Sequence, residues 1–272
     1  MIKDITIGQY YPYDSPIHRL DPRLKLILVI FLIVIIFVAQ TPAAYLCAAT
    51  FVAVAVMLSH IPFKLMVKGL KPILFILVIT TLLNLFYSGG EPILQFWIIS
   101  VSKEGIWRTV TMLVRVVLLV IGTSLLTYTT SPIMLTDGLE RLLSPLKKIK
   151  LPVHEFSLMM TIALRFIPTL IEEVDKISSA QKARGSDLET GNLIQKAKAL
   201  VPILVPLFVS SFRRADELAV AMECRCYRGG GGRTRLRQYR LHRRDAVAAV
   251  VSVLVLAAVI LCNIFIRWGV LV

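Results

Sequence analysis

Apolar residues fall in long unbroken runs, and polar residues collect between them. Leu26 to Ala39 is the first run, ended by Gln40-Thr41-Pro42, and Ala43 to Ser59 is the second. Pro72 to Tyr87 follows, closed by Ser88-Gly89-Gly90; then come Thr109 to Thr130 and, far downstream, Ala246 to Ile266, closed by Arg267 and Trp268. Backbone groups cannot go unpaired in lipid, so runs of this length and character predict about five membrane-spanning helices. The first two are short, which tilt or a slight extension past the breaks accommodates. Glu91 to Arg108 is apolar but interrupted. It reads as an interfacial stretch anchored by Trp97 and Trp107, with room for another membrane-embedded piece.

Residues 131–245 differ in kind. They keep a helical period but are charged throughout and punctuated by Pro132, Pro145, Pro152, Pro168, Pro202 and Pro206. Ser131-Pro132 is a helix start, followed by an apolar face of Leu135, Leu139, Leu142, Leu143 and Leu146. A second helix is expected from about His154 to Arg184, stopping at Gly185. A third is expected from about Asn192 to Tyr227, ending in Gly229–Gly232, with Pro202 and Pro206 bending or splitting it. The pattern gives an all-α integral membrane protein in four parts: an N-terminal segment (1–25), helices 1–4 (26–130), a helical insert (131–245) and a last span (246–267).

Composition agrees. The 272 residues are 56% hydrophobic, above the 45–50% usual for soluble domains, with mean hydropathy +0.74. This excludes a disordered chain and a small disulfide scaffold. Charge adds direction. Lys+Arg 31 against Asp+Glu 17 gives +14, yet Leu26 to Phe63 carries no charge at all. The basic residues gather in the N-terminal tail (Lys3, Arg19, Arg23, Lys25), the second loop (Lys64, Lys68, Lys71) and the insert. Five spans with the N-terminus inside place all three in the cytoplasm and the C-terminus outside. The polar first 25 residues do not read as a cleavable signal peptide. Arg115 lies inside the fourth span, where a charge must face protein or water; local pairing or snorkelling is the plainest outcome.

Candidate chemistry is sparse. Cys47 and Cys262 sit in apolar runs as small hydrophobes, and Cys224 and Cys226 are too close for an easy bridge within a helix. His18, His60, His154 and His242 are scattered and make no metal site. Gly229–Gly232 before Arg233-Thr234 lacks the lysine and preceding strand of a phosphate loop, and reads as a flexible linker. Arg233, Arg235, Arg237, Arg240, Arg243 and Arg244 stand directly before the last span, where basic clusters meet anionic lipid rather than nucleic acid. Arg213 and Glu217 sit one helical turn apart and can pair, whereas Glu172, Glu173 and Asp175 read as a solvated face.

Two short stretches in the insert echo each other: Gln181-Lys182-Ala183-Arg184-Gly185 and Met222-Glu223-Cys224-Arg225-Cys226. Each sets an Arg among small residues at the end of a long helix. There the helix dipole favours the cation, and slim neighbours let the helix end enter a groove. Ordinary C-terminal capping explains the same pattern.

Longer motifs go further: Asp14-Ser15-Pro16-Ile17-His18-Arg19-Leu20-Asp21-Pro22-Arg23-Leu24-Lys25, Ala163-Leu164-Arg165-Phe166-Ile167-Pro168, Ala180 through Gly185, and Arg213-Arg214-Ala215-Asp216-Glu217-Leu218-Ala219 with Ala221-Met222-Glu223 and Tyr227. In this order they resemble the transmembrane T component of energy-coupling factor (ECF) transporters over nearly the whole chain. The resemblance implies a non-catalytic membrane scaffold whose cytoplasmic coupling helices dock on two ATP-binding-cassette (ABC) ATPase subunits. The scaffold also holds a substrate-binding S component for vitamin or micronutrient uptake, transition metals included. It implies a prokaryotic cell membrane, with ATP and Mg bound by the partner ATPases and no cofactor in this chain. By match, Ala183, Arg184 and Gly185 form the first docking motif and Cys224, Arg225 and Cys226 the second. Cys stands where Ala and Gly are usual, so the second helix is expected to run on to Tyr227 or Arg228 rather than end in the same turn. A self-contained secondary transporter would show inverted repeats and midplane charges, of which no repeat is visible and Arg115 alone is thin support; a lipid-modifying enzyme would show paired acidic motifs, and the spans contain none.

Overall fold

The computed structural model describes residues 10–87, 92–96, 99–149, 152–186, 192–229 and 241–269. Among these residues, eight α-helices follow in chain order: α1 (Pro22–Val38), α2 (Pro42–Ser59), α3 (Phe63–Tyr87), α4 (Lys103–Thr129), α5 (Pro132–Leu142), α6 (Val153–Ala183), α7 (Leu193–Cys224) and α8 (Arg243–Gly269). Between α3 and α4 stands a two-stranded antiparallel ribbon, β1 (Pro92–Phe96) and β2 (Ile99–Ser102). A 3₁₀ turn, Ser144–Ile149, follows α5. The protein is thus an all-α integral membrane protein with one small ribbon. Among the described residues the stretch after Glu91 is this ribbon rather than a further helix; Trp107 falls in the first turns of α4, and Trp97 lies outside the described residues.

Two compact units form, one built on Leu139–Gln238, the other on Gly8–Gly138 and Tyr239–Val272. In the second, α2, α3, α4 and α8 are long and apolar enough to cross a membrane. The first run folds as a 17-residue helix, about 25 Å at 1.5 Å per residue. Its start is local chemistry. Asp21 caps α1 by accepting the Arg23 N–H at 2.9 Å, and Pro22 opens the first turn, where no N–H is needed. Thr41 and Pro42 repeat the device for α2. The third run begins nine residues earlier than expected, at Phe63, with Pro72 inside the helix. Lys64, Lys68 and Lys71 therefore ride on the first turns of α3 rather than in a loop.

The core of this unit is apolar: Leu32, Ile35 and Ile36 of α1 meet Tyr45, Ala48 and Val52 of α2, Leu118 of α4 and Val259 of α8. Two polar groups on its helices find specific partners. The Arg115 guanidinium donates to the Tyr45 hydroxyl at 2.6 and 3.1 Å and lies over the Phe37 and Tyr45 rings. Local pairing inside the protein, rather than snorkelling, accommodates its charge. At the α1–α2 break, Asn263 of α8 accepts from the Gln40 and Thr41 amides and the Thr41 hydroxyl, and donates to the Val38 carbonyl at 2.7 Å. That one amide satisfies a turn that lipid would leave unpaired.

At the opposite helix ends the N-terminal motif folds down. Lys25 is buried, and its ammonium donates to the carbonyls of His18 and Thr129 and to the Thr130 hydroxyl at 3.0–3.1 Å. Buried Asp245 accepts the His242 N–H, closing the first turn of α8, and the Asp21 N–H at 3.0 Å.

Candidate functional site

The other unit contains α6 and α7, both ending in the sequence pattern singled out above. Glu173 of α6 accepts from the Ser210 hydroxyl at 2.6 Å and from the Arg214 guanidinium of α7. Eight residues later on α6, Gln181 donates to the carbonyl of Pro202, eight residues earlier than Ser210 on α7. The two helices therefore run antiparallel. Glu173 is thus a tie between helices rather than the solvated face expected of it. By 1.5 Å rise per residue, the C-termini of the pair lie roughly 40 Å apart along its length.

The two ends close identically. In α6 the Ser186 amide donates back to the Gln181 carbonyl and the Gly185 amide to Lys182, both at 3.0 Å, with Gly185 at φ +83°. In α7 the Tyr227 amide donates to Met222 at 3.0 Å and the Cys226 amide to Glu223 at 2.8 Å, with Cys226 at φ +56°. Both are Schellman closures, with the residue after the cap in the left-handed region. Arg184 and Arg225 occupy the same position, the C-cap, with nearly equal backbone angles.

The second helix therefore does not run on to Tyr227 or Arg228. Cys226 takes a conformation that favours glycine, and the half-buried Tyr227 and Met222 share one groove beside the turn. These are the two positions whose apolar contact commonly accompanies such a closure.

All six motif residues, Ala183, Arg184, Gly185, Cys224, Arg225 and Cys226, are exposed. Neither arginine side chain has a hydrogen bond or ion pair among the described residues. Each carries a free planar donor set at a negative helix end, shaped for carboxylates or carbonyls on another surface. Arg225 also borders a groove with Leu158, Ile162 and Arg165 of α6. Among the described residues no three His, Cys, Asp or Glu side chains cluster as a metal site.

One feature sequence reading missed is a stripe on α7. Val205, Phe208, Val209 and Phe212 recur at i, i+3, i+4 and i+7, all exposed. Such a stripe outside the membrane-spanning helices marks an interaction surface. Its 3.6-residue period was present in the sequence, but a buried face has the same period.

A family model described as cobalt transport protein, CbiQ, matches residues 14–236. The chain is 54% identical over 271 residues to an energy-coupling factor transporter transmembrane protein of Clostridium kluyveri, covering 99% of this chain and 100% of that one. It is 52% identical over 261 residues to the protein of the same name from Ruminiclostridium cellulolyticum, covering 96% and 98%. It is 48% identical to that from Bacillus subtilis, again covering 96% and 98%. With a family model over most of the chain and about half of its residues identical to these relatives over nearly their full length, the chain belongs to the family of energy-coupling factor transporter transmembrane proteins.

Proposed function

We propose that the chain is the non-catalytic coupling subunit of an ECF-type ABC importer, with Arg184 and Arg225 as anchors for two ABC ATPase subunits. The observation that carries this reading is the matched geometry of the two helix ends. An identical closure recurs at opposite ends of one antiparallel pair, despite the change from Gly185 to Cys226. Two similar partners gripping two similar knobs is the simplest use of that duplication.

When the ATPases bind ATP and Mg and draw together, helix ends held in their grooves move with them. The α6–α7 pair passes that motion to an S component seated on the apolar stripe of α7, which reorients its vitamin, micronutrient or metal-ion cargo. ATP hydrolysis and tight substrate binding belong to the partners. The positive-inside rule puts the N-terminus and residues 131–245 in the cytoplasm of a prokaryotic cell, with the C-terminus outside.

The test is co-purification from detergent of the tagged chain with its candidate ATPase pair. Wild type retains both ATPases; Arg184→Glu and Arg225→Glu each weaken retention, and the double variant loses both while inserting normally. A wild-type chain that inserts correctly and retains neither ATPase contradicts the proposal.

A further inference from the structure

An apolar groove of about 490 Å³ opens within the membrane unit between α1, α2, α4 and α8. That is within the size range of small-ligand sites. Leu28, Leu32, Phe51, Ala55, Leu125 and Val251 form its walls. Its depth is set along the helices. From Arg243 to Ser252 is nine residues of α8, about 13 Å, and from Thr129 back to Gly122 is seven residues of α4, about 10 Å. The hydrocarbon of one leaflet is about 15 Å deep. The groove floor lies where α4 meets α1: a Cβ added at Gly122 would lie 2.2 Å from Leu32 Cδ2. The groove is therefore a slot about one leaflet deep, not a trough along the whole bilayer that a partner helix would need.

Its mouth is charged. Ile17 and Leu20 of the N-terminal motif form one lip, and Arg243 and Arg244, at the start of α8, form the other. Lys25 also borders the slot, but its three ammonium hydrogens already have acceptors. Asp245 is occupied by two backbone amides, and Asp14, whose carboxylate feels Arg244, is paired with Arg19. Arg243 and Arg244 are left exposed and without hydrogen bonds among the described residues, at the positive end of a 27-residue helix. An acyl-lined slot under two free guanidiniums is complementary to a phosphodiester carrying a hydrocarbon chain.

We propose that the groove binds one anionic phospholipid, with an acyl chain between α1, α4 and α8 and the phosphate on Arg243 and Arg244. This goes beyond a diffuse attraction of basic residues to the membrane, because it fixes stoichiometry and headgroup charge. It stands apart from the docking reading, since lipid is counted on the chain alone.

The full chain, purified in nonionic detergent, is offered phosphatidylglycerol or phosphatidylcholine of equal chain length, and bound lipid is counted by native mass spectrometry. Wild type is expected to hold one phosphatidylglycerol at least about tenfold more tightly than phosphatidylcholine. The R243Q/R244Q variant, altered only at exposed positions, brings the two lipids level. A248F, which fills the slot, releases both; A55F from the opposite wall serves if A248F fails to fold, with helical circular dichroism as the control. Equal retention of the two lipids by wild type overturns the proposal. So does a headgroup preference that survives R243Q/R244Q, lipid retained by a folded slot-filling variant, or a second copy of the chain that excludes phosphatidylglycerol.

Discussion

At the scale of single residues, the arginines were legible and the turns beneath them were not. Arg184 and Arg225 stood out by spacing and by resemblance. The closure around Arg225 did not, because propensity argues against a cysteine at positive φ, and only the hydrogen bonds from Cys226 and Tyr227 reveal it. The left-handed region costs a non-glycine residue about 1–2 kcal/mol, partly offset by the freedom glycine adds to the unfolded chain. Cys226→Gly is therefore expected to leave thermal stability unchanged or raise it by up to about 1 kcal/mol, and to keep ATPase retention. Cys226→Val, β-branched at the same angle, is expected to lower both. Thermal melts in detergent alongside the pull-down check this.

Lys25 was read only as a charge that helps set topology, and Asp245 only as the end of the charged insert, yet both are buried connectors. A sequence shows their charge but not which distant amides and carbonyls they meet. Removing the Asp245 carboxylate leaves the Asp21 and His242 amides without an acceptor. Asp245→Ala is expected to cost about 2–4 kcal/mol in unfolding experiments. Asp245→Asn, which keeps one acceptor oxygen, is expected to cost less.

At the scale of elements, the helices were legible and their limits were less so. Apolar runs located the spans because lipid enforces length. The third helix began earlier than its run because its first two turns carry lysines, which an apolar-run reading assigns to a loop. The β1–β2 ribbon was missed because a short apolar segment such as Pro92–Phe96 has no period that separates strand from helix. The α6–α7 pairing was also hidden, since it rests on Glu173 meeting a partner 37 residues away.

That contact has a pH signature. The Ser210 hydroxyl, helped by Arg214, holds the Glu173 carboxyl below the usual carboxylate range. A depressed carboxylate contributes stability above its unfolded value of about 4.3, and loses it as pH falls through the lower folded value. Amide-exchange protection of α6 and α7 is expected to hold from neutral pH to about 5 and to decline below about 4. In Glu173→Gln that part of the decline is absent and protection is lower at neutral pH. Identical pH profiles for the two proteins would exclude the tie.

At the scale of the whole molecule, function was legible through order rather than through any single site. Charge-free spans set the membrane character, and ordered motifs carried the resemblance to a family that the 54% identical relative also represents. Partners leave no comparable pattern in one chain, so the central claim concerns what Arg184 and Arg225 touch. Nature supplies the probe. Cys224 and Cys226 flank Arg225 and are exposed, whereas Cys47 and Cys262 are half-buried on membrane-spanning helices. In a C47S/C262S background, permeabilised membranes are treated with a maleimide, with and without the co-expressed ATPase pair. The account predicts rapid labelling of the chain alone, labelling at least about tenfold slower in the assembled complex, and recovery of the rapid rate in Arg225→Glu. Equal labelling rates in the free chain and in a complex that demonstrably contains both ATPases would contradict it.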